Sequence, residues 1–243
     1  MLAFDTSRDG KAVGKQVWGI AFDNRGRLWV GGENEVAIFQ NRSLWKVIPL
    51  EKGIMPYTHV SVIYKDRSGM LWFGMYRDGV LRCDPNTGMV TRIPINEPYA
   101  EICTFYEDAD KLWIGTQNGL FSCQNDKIRR EDRINGQLVD PMVHGILRDR
   151  QGKLWVGTFG KGFFIFNAEN KLVKRIDTSG GLTSNAINYL YQASEGDIWA
   201  ATRGGLVHIT DTKTYSFQVF GTSQGLPDNN VRSIIEDLSL IHI

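Results

Sequence analysis

Carboxylates and histidines are the residues here whose types could carry acid–base or metal chemistry, and their spacing decides whether they do. The chain of 243 residues holds four histidines, His59, His144, His208 and His242, and they share no metal-ligand spacing. Aspartates recur instead, with Asp23, Asp66, Asp108 and Asp149 at equivalent places of a repeated frame. Acid–base work needs carboxylates in two different environments, whereas one carboxylate repeated at one position serves a turn, so these are expected at hairpins. No glycine-rich phosphate loop, no Gly-x-Ser-x-Gly elbow and no His-Glu-x-x-His is present. Three cysteines without a Cys-x-x-Cys make neither a disulfide framework nor a zinc knuckle. No catalytic residue, metal site or cofactor is expected.

Composition narrows the partners. Hydrophobic residues make up 42%, aromatic ones 11% and charged ones 23%, enough for one sizeable core. Lys and Arg number 28 against 27 Asp and Glu, a net charge of +1, so there is no basic field for nucleic acid or an anionic membrane. The densest basic run, Arg129 to Arg133, carries Glu131 and Asp132 and reads as a solvated turn. No stretch approaches the roughly 18 apolar residues of a spanning helix. The first ten residues lack a charged n-region and an apolar h-region, so neither a signal peptide nor membrane contact is expected of this chain.

The elements that must position any site announce themselves by repetition. Trp29, Trp72, Trp113, Trp155 and Trp199 recur 43, 41, 42 and 44 residues apart. Leu28-Trp29-Val30-Gly31 matches Leu71-Trp72-Phe73-Gly74, Leu112-Trp113-Ile114-Gly115 and Leu154-Trp155-Val156-Gly157, with Ile198-Trp199-Ala200-Ala201 the loosest copy. Asp-x-x-Gly precedes three of them, at Asp23, Asp66 and Asp149; the third copy departs after Asp108, and the fifth has Ala193 in place of the aspartate. A period of about 40–45 residues with short strands marks a β-propeller. The expected fold is all-β, a β-propeller of four-stranded antiparallel blades, five of them full and others partial, an incomplete ring from a larger propeller. Each tryptophan is expected in the core between blades. Cys83 and Cys123, in the slot of Phe39, Phe166 and Ile209, are expected to be buried small apolar residues, while Cys103 on an inner strand could be either. Ala21, Tyr64, Tyr106, Leu147, Tyr191 and Ile235 share one inner-strand position, with Asn188 and Glu107 nearby, a set too apolar for a hard-cation cage.

A binding site must then be read from asymmetry. Loops leading into the inner strands, and those joining second to third strands, gather at one mouth of a propeller channel, and residues that differ there between blades are not explained by packing. They include Tyr57 and His59, Tyr76 and Arg77, Tyr99, Asn118, Phe159 and Lys161, Asn185 and Arg203. Aromatics beside cations and amides suit the face of a sugar and its hydroxyl or acidic groups. A carbohydrate or other small polar ligand is the expected partner.

The frame Asp-x-x-Gly-x-Leu-Trp-[Val/Ile]-Gly-Thr-x-x-Gly-Leu resembles the two-component regulator propeller repeat, as do Gly181-Leu182-Thr183-Ser184-Asn185 and Gly225-Leu226-Pro227-Asp228-Asn229. The match runs from about Val17 to Asp237. That resemblance implies a seven-bladed propeller in the extracytoplasmic, periplasmic part of a bacterial sensor, commonly a hybrid histidine kinase, with ligand sensing and no catalysis in this chain, and a homodimer formed through the parent receptor. Gluconolactonase- and virginiamycin-lyase-type propellers carry similar strands and imply a metal in the channel, the enzymatic alternative; a protein-binding scaffold is the other. Phe4-Asp5 sits mid-blade by this register, so residues 1–237 read as a portion of a longer sensor. Residues 238–243, Leu-Ser-Leu-Ile-His-Ile, resemble a translated sequencing adaptor and are expected to be a non-native tail.

Overall fold

The structure, a computed structural model, describes residues 16–50, 58–97, 100–109, 111–131, 133–134, 137–138, 142–237 and 240–242. Five four-stranded sheets follow one another along the chain, each with its strands hydrogen-bonded in sequence order. Blade 1 is Gly19–Phe22, Leu28–Gly31, Glu35–Gln40 and Ser43–Pro49; blade 2 is Val60–Lys65, Leu71–Met75, Val80–Cys83 and Val90–Ile93. Blade 3 is Ile102–Asp108, Lys111–Thr116, Gly119–Gln124 and Lys127–Arg130. Blade 4 is Val143–Arg148, Leu154–Thr158, Phe163–Phe166 and Leu172–Ile176, and blade 5 is Ile187–Gln192, Ile198–Thr202, Gly205–Asp211 and Ser216–Phe220. The expected all-β propeller architecture is present, and the only helices among the described residues are two 3-10 turns, Thr178–Gly180 and Thr222–Gln224. Two compact units divide the chain, Met1–Cys103 with Cys123–Arg129, and Thr104–Ser122 with Arg130–Ile243. Blades 1 and 2 lie in the first unit and blades 4 and 5 in the second, while blade 3 contributes to both.

Alternation along the second strand of each blade sends Trp to one face and Leu and Val to the other, so both faces are covered. In the first unit Trp29, Val36 and Ile38 of blade 1 pack with Val60, Ile63 and Phe73 of blade 2. In the second unit Trp155, Phe163 and Ile165 of blade 4 meet Ile187, Leu190 and Ala200 of blade 5. The opposite face of blade 4, Leu154, Val156, Phe164 and Phe166, meets Trp113 and Leu120 of blade 3. Four of the repeated tryptophans are buried, from 0% exposed at Trp155 to 6% at Trp72, and Trp199 is half-buried.

The repeated aspartates serve hairpins as expected, and they also hold the tryptophans. Asp149 Oδ1 accepts the backbone N–H groups of Gln151 and Lys153 at 3.0 and 2.8 Å, while its Oδ2 accepts Trp155 Nε1 at 2.8 Å. Asp23 does the same for Arg25, Arg27 and Trp29, and Asp66 for Met70 and Trp72. Burial pushes the Asp23 carboxyl up, but the hydrogen bonds from Trp29, Arg27 and Arg25 outweigh it and leave the group below its ordinary range. Asp108 accepts Trp113 Nε1 at 3.2 Å and the Arg148 guanidinium at 2.8 Å. In blade 5 the aspartate is Ala193, and Trp199 Nε1 is buried without a hydrogen-bond partner among the described residues. Its ring lies flat on His208 instead, 3.9 Å away, and His208 Nε2 meets Asp197 Oδ2 at 2.9 Å.

The glycine two residues after each tryptophan is where the next inner strand crosses. A Cβ on Gly31, Gly74, Gly115 or Gly157 would lie 2.6 Å from Val60, Ile102, Val143 or Ile187 respectively. Blade 5 has Ala201 there, buried in a cluster with Val231. Gly157→Ala is therefore expected to destabilise the chain by about 1–3 kcal/mol through overpacking. Denaturant melts check this, and an unchanged midpoint would mean that blades 4 and 5 separate without cost.

The inner-strand set Ala21, Tyr64, Leu147 and Tyr191 pairs across the ladder with Trp29, Trp72, Trp155 and Trp199, so it shares their face of the sheet. Tyr106 is used in the same way, donating its hydroxyl to the Arg148 carbonyl at 3.2 Å. Cys83 and Cys123 are buried as expected, and burial pushes their thiols up to about 12 and about 11. Cys103 is half-buried, its thiol also raised by burial. The segment Leu240–His242 pairs antiparallel with Ile235–Asp237. Phe4 and Asp5 lie outside the described residues.

Candidate functional site

Loops between second and third strands are rigidified by a buried threonine three residues after the tryptophan. Thr116, Thr158 and Thr202 donate their hydroxyls to the carbonyls of Gly119, Gly162 and Gly205 at 2.7–3.0 Å. The same oxygens accept the backbone N–H groups of Asn118, Lys161 and Gly204, each at 3.0 Å. The next residue extends the ladder by one bond, Phe159 N–H to Met142 O at 2.9 Å and Arg203 N–H to Ala186 O at 3.1 Å. Blade 2, with buried Met75 in the threonine position, still gives Tyr76 N–H to His59 O at 2.8 Å. A side chain at this position is thus held from both sides, and it differs in every blade: Glu33, Tyr76, Gln117, Phe159 and Arg203.

In the first unit these residues build a stack. Trp18 lies on His59 at 3.8 Å between ring centres, His59 lies on Tyr76 at 4.8 Å, and the Arg77 guanidinium sits over Tyr76 at 5.0 Å. Arg77 has φ of 58°, a left-handed backbone that turns its side chain back over the neighbouring ring. Burial lowers the pKa of His59, opposed by the Glu33 carboxylate, so the imidazole in the stack is kept toward its neutral form. Glu33 and His59 are also bridged through their backbones.

The second unit holds a related group. Phe159 is 5.1 Å from His144, and the Arg203 guanidinium of the next blade sits 4.4 Å from the Phe159 ring centre. Burial, and then the Arg203 charge, push the His144 pKa down. Lys161 is exposed on the same loop as Phe159, its carbonyl accepting from Arg175 at 3.4 Å. One expected residue has its side chain committed to the fold: Asn185 Oδ1 accepts Thr178 N–H at 2.8 Å, as Asn229 Oδ1 accepts Thr222 N–H at 2.9 Å in the next copy of that loop. Asn118 is exposed, and its backbone carbonyl accepts the Arg130 guanidinium at 2.7 Å. Tyr57 and Tyr99 lie outside the described residues.

Trp18 and His144 were not singled out by the sequence reading. Both sit three residues before the inner-strand residue that pairs with the tryptophan, a position read as Trp18, Ser61, His144 and Asn188 in blades 1, 2, 4 and 5. In blades 2, 4 and 5 the ladder register shifts there, making Ser61, His144 and Asn188 bulged residues. The signal was present as a position in which chemistry changes while its neighbours repeat. Among the described residues no three His, Cys, Asp or Glu side chains are grouped to hold a metal, and no helix is long and apolar enough to cross a membrane.

Comparison with known proteins adds four findings. A family model described as the two component regulator propeller matches residues 13–34, 137–160 and 181–204. Histidine kinase P4 of Formosa agariphila is 26% identical over 107 residues, 40% of this chain and 8% of that protein. The crystal structure of the extracellular domain of a hybrid two component system from B. thetaiotaomicron is similar with a TM-score of 0.85 and 30% identity, covering 98% of this chain and 32% of that one. Virginiamycin B lyase from Staphylococcus aureus, at 15% identity and a TM-score of 0.69 over 91% of this chain and 74% of its own, shares the fold. The chain thus spans 8% of the kinase and 32% of the sensor domain that it matches.

Proposed function

We propose that this chain, three segments of which match the two component regulator propeller model, is a ligand-sensing portion of a bacterial two-component-type receptor, working on the periplasmic side and without catalysis of its own. The observation that carries this reading is the position four residues after the repeated tryptophan. It presents Tyr76 beside His59 and Arg77 in the first unit, and Phe159 beside His144 and Arg203 in the second. Both rings are half-buried, and an aromatic ring suits the C–H face of a sugar while the guanidinium groups offer paired donors to hydroxyl or acidic oxygens. Output would lie elsewhere in a longer protein, with the propeller reporting occupancy to it.

Arg77→Ala and Arg203→Ala are expected to weaken ligand binding about tenfold each, the loss of one charge-assisted contact. Both arginines are exposed, so the thermal midpoint should hardly move. The check is titration of the chain and both variants with neutral and acidic oligosaccharides, with and without chelator. Chelator-sensitive turnover of a lactone would overturn the sensing reading in favour of an enzyme. Silence toward every sugar would leave a protein-binding scaffold.

A further inference from the structure

Three side-chain polar atoms among the described residues are buried without a hydrogen-bond partner: Ser61 Oγ, His144 Nε2 and Trp199 Nε1. Trp199 follows from the missing aspartate at position 193. Ser61 and His144 instead occupy one position, the bulged residue of the inner strand, in two different blades. Folded proteins pair nearly all buried polar atoms, so two orphans at the same register position call for a reason. A bulge supplies one, because it removes a residue from the ladder and re-aims its side chain, and bulges are concentrated beside binding and active sites.

Blade 4 surrounds its bulged residue with groups of defined chemistry. Phe159 stacks on the His144 imidazole, and Arg203 places a permanent charge over the other participant, the Phe159 ring. In blade 5 the bulged residue is committed to the fold, since Asn188 Nδ2 donates to Val231 O at 2.6 Å and to Asn230 Oδ1 at 3.3 Å. The unpartnered imidazole nitrogen of blade 4 and the guanidinium of blade 5 are therefore the polar groups left to meet a ligand beside this ring. We propose that His144, Phe159 and Arg203 form a subsite for an anionic pyranose, with His144 as its specificity-determining contact. The ring takes the apolar face of the sugar, the guanidinium takes its carboxylate or sulfate, and the buried nitrogen exchanges a hydrogen bond with an oxygen of the same residue. This proposal rests on the sensing reading above and adds to it the charge of the ligand and the residue that reads it.

The test is titration of the intact chain with uronate disaccharides (galacturonate, glucuronate and mannuronate), with a sulfated disaccharide and with their neutral counterparts, following the imidazole signals of His144 by NMR. Binding of a uronate or sulfated sugar at least tenfold tighter than its neutral counterpart, with the His144 signals shifted, is the expected result, and the two anionic arms tell carboxylate from sulfate. His144→Ala and Arg203→Ala should each weaken that binding at least tenfold, with His144→Gln recovering part of the loss. Ser61→Ala, in the other unit, should leave the His144 titration unchanged. If neutral and anionic sugars bind equally, or bind without moving the His144 signals, the subsite proposal is overturned while the sensing reading stands. If no sugar binds, both fall.

Discussion

Trp113→Ala is expected to lower the stability of the chain by about 3–5 kcal/mol, the cost of emptying a large core site. Trp113 is 2% exposed and packs with Leu120 of its own blade and Leu154, Val156 and Phe164 of the next. Its Nε1 donates to Asp108, and the Lys111 ammonium lies 3.9 Å over its ring. Removal therefore leaves a cavity between two blades and an acceptor short of a donor. Trp199→Ala offers the internal contrast. That ring is half-buried and its nitrogen already lacks a partner, so about 1–3 kcal/mol is expected. Chemical denaturation of the two variants side by side measures the difference. Equal losses would show that the tryptophans act through something other than burial and the aspartate bond.

Asp149→Ala should cost about 2–4 kcal/mol, because it strands three donors at once. The Gln151 and Lys153 backbone N–H groups and Trp155 Nε1 all depend on that carboxylate, and Trp155 is fully buried. Blade 5 permits the reverse experiment. Ala193 heads the same turn, with Ala193 N–H to Asp197 O at 2.8 Å and Gly196 N–H to Ala193 O at 2.8 Å, as Asp149 does with Lys153 and Gly152. Ala193→Asp should thus give Trp199 Nε1 its missing acceptor and add about 1 kcal/mol. A rise in thermal midpoint for one and a fall for the other would establish that the aspartate is an anchor for the tryptophan. A fall for both would mean that the Glu236 contacts to Ser194 in blade 5 have replaced it.

Much of the blade was legible in the residues, for physical reasons that the structure makes plain. Tryptophan at a constant spacing reads as packing, and in blades 1 to 4 the glycine two residues later leaves room for a neighbouring strand that passes 2.6 Å from an absent Cβ. The turn role of Asp23, Asp66 and Asp149 was readable too, although their bonds to the tryptophan rings six residues on were not, since those close only when the hairpin forms. Tyr64, Leu147 and Tyr191 were read as a set too apolar for a cation cage, and their cross-strand pairing with the tryptophans, which spacing alone does not reveal, gives them the same packing face. The one-residue register shift at Ser61, His144 and Asn188 was not legible either, because a bulge of that kind leaves no mark in spacing. Stacks such as Trp18 on His59 join residues 41 positions apart and depend on two blades meeting.

The bulge also divides the molecule by how freely it can change. A residue outside the hydrogen-bonded ladder, flanked by a buried Val60 or Val143 that does the packing, can be exchanged with little effect on folding where its side chain, unlike that of Asn188, is not hydrogen-bonded to the fold. Ser61, His144 and Asn188 differ in size, charge and hydrogen-bonding character on a backbone that does not. Drift at that position would alter what is recognised while leaving the blade intact. One repeat could then be diversified into many recognition chemistries, and a grafted set of bulge residues is the economical way to retarget the chain by design.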